Sequence, residues 1–507
     1  MGVKIKNWFI TPSAAVMAAI LALAIINVYS IPAAAQLPGF SIELASVSSS
    51  GQQGNSHSGV PSISDDGRFV AFTSDATNLD LKIPDTNGMN DVFVRDRLNH
   101  TTTRESISPS GTQCDGESSN ASMNRKGGTI AFASSARNFG YWTNGIFNVY
   151  VKGIGITYNQ PLYLDPRPVS LGFDGIANNF TAECSLNGPL CAYSSDASNI
   201  VYNDTNGVRD IFFQLGDWYN QTRVSVSSSG EQGNGASWAP SITDWLNYGG
   251  TGWCMVAFAS NATNLVPNDT NGVSDIFYHD TLYNTTRRAS VSSSLEQGNG
   301  ASDEPSISSG GFIAFSSYAT NLVPDDTNGV SDVFVRDANT TTRVSIGSFG
   351  QQAFASCYEP SISPDGRFVA FTSDATNLDL THIDLNGVRD IFVSDTLNNT
   401  TLMVSVNSSG QEGVGQSNSP SISGISSDGQ YIFIAFQSQA SNLVPNDTNG
   451  TYDVFVATVP INSPWTYAPS PFYMSPLFIG SAVGLVAVVA AAIVLALRRP
   501  WKKVKPK

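Results

Sequence analysis

The sequence predicts an all-β protein: a seven-bladed β-propeller with an N-terminal signal peptide and one C-terminal transmembrane helix. Three observations support this prediction. A segment of about sixty residues recurs seven times along the 507-residue chain. Each copy contains four short stretches of β-forming residues bounded by turn residues. The last copy lacks its fourth stretch, and a stretch of that kind stands alone before the first copy. Repetition at a fixed period is typical of folds in which one unit buries its apolar faces against the next.

The four strands of a copy, here named a to d, are predicted in the first copy at 61–64, 68–74, 91–96 and 102–108. Strands b and c carry apolar residues at successive positions, which indicates a strand that is covered on both faces. Four-stranded blades stacked around an axis provide such cover, and propellers have between four and eight of them. The Val-Ser-Val landmark of strand d begins at Val47, Ile107, Leu171, Val226, Val291, Ile346 and Val406.

The two ends of the array predict how the ring closes. The final copy stops after its strand c at 453–457, and the isolated stretch at 43–48 has the sequence of a strand d. Pairing these two strands would complete the last blade and remove an exposed sheet edge.

The SPDGRFVAF sequence at Ser363–Phe371 resembles the TolB-like (PD40, WD40-like) propeller repeat, and the resemblance covers 43–459. It implies the propeller fold and is unspecific about function. Proteins of that group act in protein–protein contacts or stand beside a peptidase domain. Only about fifty residues follow the propeller here, too few for such a catalytic domain.

The termini predict export and anchoring. Residues 1–35 have the basic start, apolar run and small residues of a secretory signal peptide, with an uncleaved signal anchor as the alternative. Residues 36–459 form the propeller ectodomain and 460–476 a stalk rich in Pro and aromatic residues. Residues 477–497 are long and apolar enough to span a bilayer, and the basic tail 498–507 is expected in the cytoplasm. We therefore expect a single-pass protein of the cell membrane with the propeller outside the cell.

Composition limits the partners. A net charge of -15 disfavours nucleic acid. Fourteen Asn-x-Ser/Thr sequons are candidate glycan acceptors in an exported chain, although a chain rich in Asn and Thr also produces them by chance. Of the five cysteines, Cys184 and Cys191 flank a predicted a–b hairpin and are predicted to form a disulfide. Cys254 is expected to stay reduced inside a strand b.

The b–c turn of six copies contains Asp-x-Asn-Gly-x-x-Asp. Alternating oxygen ligands, a Gly at the sharp turn and a further carboxylate are what calcium requires, so calcium is the candidate cofactor. The pattern is similar to part of the calcium loops of EF-hands and integrin-type repeats, but lacks their first acidic ligand. The alternative is a structural turn in which Asp and Asn bind backbone amides. The candidate ligands are Asp85, Asn87, Asp91, Asp204, Asn206, Asp210, Asp269, Asn271, Asp275, Asp326, Asn328, Asp332, Asp384, Asn386, Asp390, Asp447, Asn449 and Asp453.

The sequence predicts no catalytic residue. The four histidines have no ligand or relay spacing, and neither a Gly-x-Ser-x-Gly nor a His-Glu-x-x-His motif occurs. We expect a non-catalytic binding or envelope scaffold module for a protein or glycan partner. Its binding surface would be the outward face, where the b–c and d–a connections emerge. The alternative is an extracellular hydrolase or lyase acting on polysaccharide or peptide, with calcium as a cofactor. Phe139, Tyr141 and Trp142 in the irregular second copy would favour that alternative if they lined a pocket with carboxylates.

Overall fold

The computed structural model describes residues 37–462, with gaps at 141–144, 155–164, 173–176, 180, 189, 216–220, 245, 249–250, 380–381 and 383, together with residue 465. The predicted signal peptide, transmembrane helix and basic tail, and nearly all of the stalk, lie outside these residues. No helix in the described part of the chain could cross a membrane. The regular structure described is β-structure throughout.

Seven antiparallel sheets of four strands form the blades. Blade 1 contains β2 (Ser58–Ile63), β3 (Phe69–Ser74), β4 (Asp91–Asp96) and β5 (Thr101–Arg104); blade 2 contains β6 (Ser118–Met123), β7 (Thr129–Ser134), β8 (Asn148–Gly153) and β9 (Arg167–Pro168). Blade 3 contains β10 (Thr181–Asn187), β11 (Leu190–Ser195), β12 (Asp210–Leu215) and β13 (Gln221–Arg223). Blade 4 contains β14 (Ser237–Ile242), β17 (Met255–Ser260), β18 (Asp275–Asp280) and β19 (Thr285–Arg288), with the hairpin β15 (Leu246–Tyr248) and β16 (Thr251–Trp253) after its first strand.

The remaining three blades follow the same order. Blade 5 contains β20 (Ser302–Ile307), β21 (Ile313–Ser317), β22 (Asp332–Arg336) and β23 (Thr341–Arg343); blade 6 contains β24 (Cys357–Ile362), β25 (Phe368–Ser373), β26 (Asp390–Asp395) and β27 (Thr400–Met403). Blade 7 contains β28 (Ser417–Ile422), β29 (Tyr431–Ser438), β30 (Asp453–Pro460) and β1 (Ser41–Leu44). In every blade the four strands, in this order, are strands a to d.

The predicted closure of the ring is confirmed, because β1 pairs antiparallel with β30 and places Leu44 opposite Phe455. The strand is 41–44 rather than 43–48. The N–H groups of Ala45 and Ser46 both donate to the carbonyl of Val454, which ends the regular ladder. The same double contact ends strand d in blade 1, where Glu105 and Ser106 share the carbonyl of Val92.

One stacked aromatic pair joins strands b and c inside each blade, with ring centroids 5.8–6.1 Å apart. In blade 1 the pair is Phe72 and Phe93, both completely buried, and in blade 2 Tyr150 replaces the second Phe. The apolar clusters extend across blade boundaries, as where Phe69 of blade 1 packs with Phe132 of blade 2. Continuous apolar runs in strands b and c are therefore explained by cover on both faces.

Neighbouring blades are also joined by a repeated hydrogen bond between their strands a. The amide of one strand a donates to the serine hydroxyl of the strand a before it in the ring, at 2.9–3.2 Å. Ile63 of blade 1 donates to Ser421 of blade 7, so the set closes on itself. The accepting serines are Ser62, Ser122, Ser185, Ser241, Ser306, Ser361 and Ser421.

We expect Ser421→Ala to lower the free energy of unfolding by about 1–3 kcal/mol, because it leaves the amide of Ile63 without its acceptor at the junction that closes the ring. Urea denaturation of the full chain measures this change. Ser408→Ala, at an exposed serine, is the control and should be neutral within about 0.5 kcal/mol. Equal stability of the two variants would contradict a contribution of this bond to ring closure.

Candidate functional site

The b–c and d–a segments emerge on one face of the disc, because adjacent strands are antiparallel. We call this the Asp-loop face, exemplified by segments 75–90 and 105–117 of blade 1. Contacts within a blade confirm that the two segments meet, since the Gln113 side chain donates to both Asp85 (2.8 Å) and Asp91 (3.0 Å). The opposite face carries the a–b and c–d hairpins.

The second Asp of each motif, here the closing Asp, is the first residue of strand c and is buried in all six copies. Its carboxylate accepts a hydrogen bond of 2.5–2.6 Å from a serine just after strand d, as from Ser290 to Asp275. That serine oxygen accepts the next amide of strand c, as from Ile276 to Ser290. Blade 2 retains this contact with Asn148 and Ser170. The closing Asp therefore joins strands c and d.

The Asn of each motif is occupied by backbone partners. Its Oδ1 accepts the amide two residues later, and its Nδ2 donates to a carbonyl of the d–a segment. In blade 4, Asn271 accepts from Val273 and donates to Gly298. These contacts are those of a structural turn. The six residues concerned are Asn87, Asn206, Asn271, Asn328, Asn386 and Asn449.

An arginine supplies a counter-charge to the Asp loops of blades 1, 3, 4 and 5. It comes from strand d, opposite the stacked aromatic residue of strand c, as Arg288 lies opposite Phe277. Arg288 lies 3.2 Å from Asp269 and 3.6 Å from Asp275, and all three side chains are at most 7% exposed. The equivalent arginines are Arg104 beside Asp91, Arg223 beside Asp204 and Asp210, and Arg343 beside Asp326 and Asp332. In these blades a guanidinium occupies the position where a cation would be needed.

Blade 7 has Leu44 in place of the arginine, and its loop is bridged by a neutral side chain. Gln53 donates to Asp447 and to Asp453, at 2.7 Å each. Burial raises the pKa of Asp453 to about 6. Because Gln53 precedes blade 1 in sequence, this bridge also fastens the start of the propeller to its end.

Blade 6 differs from every other copy at two positions. Met403 lies opposite Phe392, where blades 1, 3, 4 and 5 have arginine. Glu412 pairs with Val406 in the small bridge that elsewhere contains Gln, as in Val291 with Gln297. Asp384, Asp390 and Glu412 thus lie together, and an oxygen from each can be chosen so that all three are within 4.8 Å of one another.

Among the described residues, no positively charged side chain pairs with these three carboxylates. The ion pairs of blade 6 involve other side chains. Asp384 is 6% exposed and Asp390 is fully buried. Within the described part of the chain, Oδ2 of each of these two residues has no hydrogen-bond partner. Burial, together with the charges of Asp384 and Glu412, raises the pKa of Asp390 to about 8. This cluster is the chemically unusual site of the Asp-loop face.

The central channel is lined by strands a, and its glutamates act in the scaffold. In six blades one residue of strand a has positive φ, as in Glu359 at 51°, which makes a bulge. In four of these bulges the amide donates to a side chain of the preceding blade, as from Glu359 to Glu304 (2.6 Å), from Ser419 to Glu359 (2.7 Å) and from Ala239 to Glu183 (2.7 Å). These carboxylates therefore hold backbone donors.

An arginine crosses the channel near the opposite face. Arg125 of blade 2 donates to the carbonyl of Ile307 (2.8 Å) and to Ser309 (3.3 Å) in blade 5, and Ser309 also contacts Asp244. The backbone carbonyl of Arg125 accepts a hydrogen bond from the amide of Asp65 in blade 1. Four blades are thus tied together across the axis.

Other predicted features occupy structural positions. Phe139 is completely buried and packs edge-on against Tyr150, so it belongs to the core, whereas Tyr141 and Trp142 lie outside the described residues. Cys254 is completely buried, just before strand β17. The predicted disulfide was wrong: Cys184 and Cys191 are free thiols in the structure. Cys184 lies opposite Tyr193 and Cys191 opposite Leu186, so the two cysteines are diagonal neighbours, a spacing of about 7–8 Å that exceeds disulfide reach.

The blades and their closure define the class of this protein, a seven-bladed β-propeller. Similar solved structures include a putative TolB from Agrobacterium tumefaciens (16% identity, 71% of this chain and 95% of that chain, TM-score 0.33). The β-propeller domain of the Trilobed protease from Pyrococcus furiosus matches at 11% identity (83% and 98%, TM-score 0.43), and an oligogalacturonate lyase in complex with manganese at 10% (84% and 92%, TM-score 0.42). The strand order and the closure confirm the predicted seven-bladed propeller. No family model and no curated protein sequence matches the chain.

We expect Arg288→Met to destabilise the protein by roughly 3–5 kcal/mol at neutral pH, because Asp269 and Asp275 remain buried without their counter-charge. Chemical denaturation measures the loss. Arg287→Met is the matched control, since Arg287 is the adjacent residue of β19 and is exposed. The ion-pair assignment fails if both substitutions have the same small effect.

We expect the stability of the protein to depend on pH through the carboxyl group of Asp65. Burial, opposed by the Arg125 guanidinium, raises the pKa of Asp65 to about 6. The folded state therefore holds a proton that the unfolded state has lost, and this contribution is complete below about pH 4 and is lost as the pH rises through about 6. The unfolding free energy of the wild type should fall by roughly 2 kcal/mol relative to Asp65→Asn over this range. Parallel pH profiles of the two proteins would contradict the shift.

Proposed function

We propose that this chain is a non-catalytic, membrane-anchored propeller of the cell surface that binds a protein partner through the Asp-loop face around blade 6. The observation that supports this is a set of exposed apolar side chains at positions where other copies have polar ones. We call it the blade 6 patch, and it consists of Phe349, Phe354, Leu385 and Val414, which are 79%, 76%, 75% and 64% exposed.

The repeat makes these replacements visible. Leu385 stands where five other copies have Thr, such as Thr270. Phe354 and Val414 stand where four other d–a segments have Asn or Asp, such as Asn299, and Phe349 stands where five have Ser, such as Ser294. The scaffold therefore folds with polar residues at all four positions. Exposed apolar and aromatic side chains with a polar surround are typical of protein interaction sites.

The backbone amides of Phe354, Leu385 and Val414 donate to side chains of neighbouring loops. The amide of Phe354 donates to Asn377 at the start of the b–c segment of blade 6. Leu385 donates to Glu412, and Asn386 donates to Gly413, the residue before Val414. The patch is thus presented on segments that are fixed to the scaffold, which lowers the entropy lost on binding.

The direction of the last strand supports the outward position of this face. Strand β30 begins at Asp453 on the Asp-loop face and ends at Pro460 on the opposite face. The apolar stretch 477–497 and the basic tail follow that end in sequence. A membrane anchor there would leave the Asp-loop face free for a partner outside the cell.

The channel glutamates support a binding role over a hydrolase or lyase, because their carboxylates already accept backbone amides. The enzyme alternative would instead require carboxylates beside an open substrate groove. A glycan partner is a second alternative, because the aromatic side chains of Phe349 and Phe354 could also pack against a sugar.

The proposal can be tested by placing a photo-crosslinking amino acid at position 354 of the full chain, in cells that naturally produce this protein. We expect a crosslinked species that protease digests and glycosidase does not. The matched control is position 397, because Leu397 is 72% exposed on a c–d hairpin of the opposite face. Combining Phe349→Ser, Leu385→Thr and Val414→Asn should reduce the product at 354 at least tenfold. Equal crosslinking at both positions, or a product removed by glycosidase alone, would reject a protein partner at this patch.

A further inference from the structure

We propose that blade 6 contains one binding site for a hard divalent cation of the calcium class, formed by Asp384, Asp390 and Glu412, and that the other Asp loops bind none. The inference goes beyond the proposed function, because a cation at this site is independent of whether the blade 6 patch binds a protein. It assigns Glu412 as a ligand, a residue outside the Asp-x-Asn-Gly motif.

The comparison among copies provides the first argument. Blades 3, 4 and 5 each contain two carboxylates in contact with one arginine, and a glutamine at the position of Glu412. Blade 6 exchanges arginine for Met403 and glutamine for Glu412. The two exchanges remove one positive charge and add one negative charge at the same point. The same turn in blade 6 therefore has three carboxylates and no cationic side chain among the described residues, where its counterparts have two carboxylates and one guanidinium.

The unsatisfied oxygens provide the second argument. Oδ2 of Asp384 and Oδ2 of Asp390 are buried and accept no hydrogen bond from any described residue. Their other oxygens do have partners, since Oδ1 of Asp390 accepts from Ser405 and Oδ1 of Asp384 from Gly387. Buried carboxylate oxygens are normally hydrogen-bonded or bound to a metal. One free oxygen on each of two adjacent carboxylates is the arrangement that a shared cation satisfies.

The chemistry of the ligands selects the class of cation. All three side chains supply carboxylate oxygen, which suits calcium, magnesium and manganese rather than zinc or copper. Calcium tolerates irregular geometry and takes six to eight oxygen ligands, so water would complete the shell. Glu412 is half-buried at the surface of the Asp-loop face, which leaves a route of entry. The Met403 thioether is a soft ligand and contributes nothing to a hard cation.

A cation here would join the b–c segment, through Asp384, to the d–a segment, through Glu412. Leu385 follows the first ligand directly, and Val414 is two residues after Glu412. The site therefore lies beneath two members of the blade 6 patch. Binding of calcium would hold these two side chains in a fixed position.

Calcium titration of the full chain in detergent, after removal of metal with EDTA, tests the proposal. Calorimetry should give one site per chain, and calcium at about 100 times the dissociation constant should raise the melting temperature by about 3 °C. Magnesium at equal concentration should produce a smaller shift. A larger effect of magnesium, no shift with millimolar calcium, or several sites per chain would each overturn the proposal.

The chain offers its own control substitutions. Met403→Arg combined with Glu412→Gln restores the residues of blade 4, and should abolish the calcium shift while the metal-free protein melts at or above the wild-type temperature. Glu412→Gln alone should weaken calcium binding at least tenfold. This single variant tests the site even if the double variant fails to fold. Asp269→Asn in blade 4 should leave the calcium shift unchanged. Retention of the shift in the Met403→Arg and Glu412→Gln variant would show that calcium acts elsewhere, and would reject the site.

Discussion

The hydrogen bonds between strands a hold the ring together. Each blade donates one amide to a serine of its predecessor, and the set returns from blade 1 to Ser421 of blade 7. Apolar packing between blades is strong but tolerates sliding, because it has little directional preference. A hydrogen bond at 2.9–3.2 Å fixes the relative height of adjacent blades. The seven bonds together keep the last blade in register with the first, and β1 completes the closure through β30.

A second constraint explains why acidic residues recur at the rim. The closing Asp binds a serine at the end of strand d and so fastens strand d to strand c. This role requires a buried carboxylate in six blades, and a buried charge must be balanced. Arginine supplies a counter-charge in four blades, and in blade 7 the neutral amide of Gln53 donates hydrogen bonds to both carboxylates instead. Blade 6 has the scaffold carboxylates, an additional glutamate and no such partner among the described residues. A structural requirement of the repeat has thus left a site with a different chemistry in one copy.

The departures from the repeat meet in one part of the molecule. Sequence irregularity pointed to the second copy, but Phe139 of that copy belongs to the core. Glu412, Met403 and the blade 6 patch are departures that change charge or apolarity on or beneath the Asp-loop face, and all lie in or beside blade 6. Comparing the b–c turns alone reveals Leu385 but not Glu412 or Met403, because Asp384 and Asp390 match their counterparts. Comparing the d–a segments and strands d would have revealed Glu412 and Met403.

The amino-acid sequence alone determined the blade count, the strands and the closure, because these depend on local periodicity, on turn residues and on their repetition in order. Strands b and c were predicted almost to the residue, as in β4 at Asp91–Asp96. The tertiary structure decided which side chains satisfy each Asp loop, since Arg288 and Gln297 reach their aspartates only through the register of strand d against strand c and the Val291–Gln297 bridge. It also separated Cys184 from Cys191, through a strand register that places Leu186 opposite Cys191. Charge balance and side-chain distance depend on how strands are aligned, and a repeat pattern does not specify that alignment.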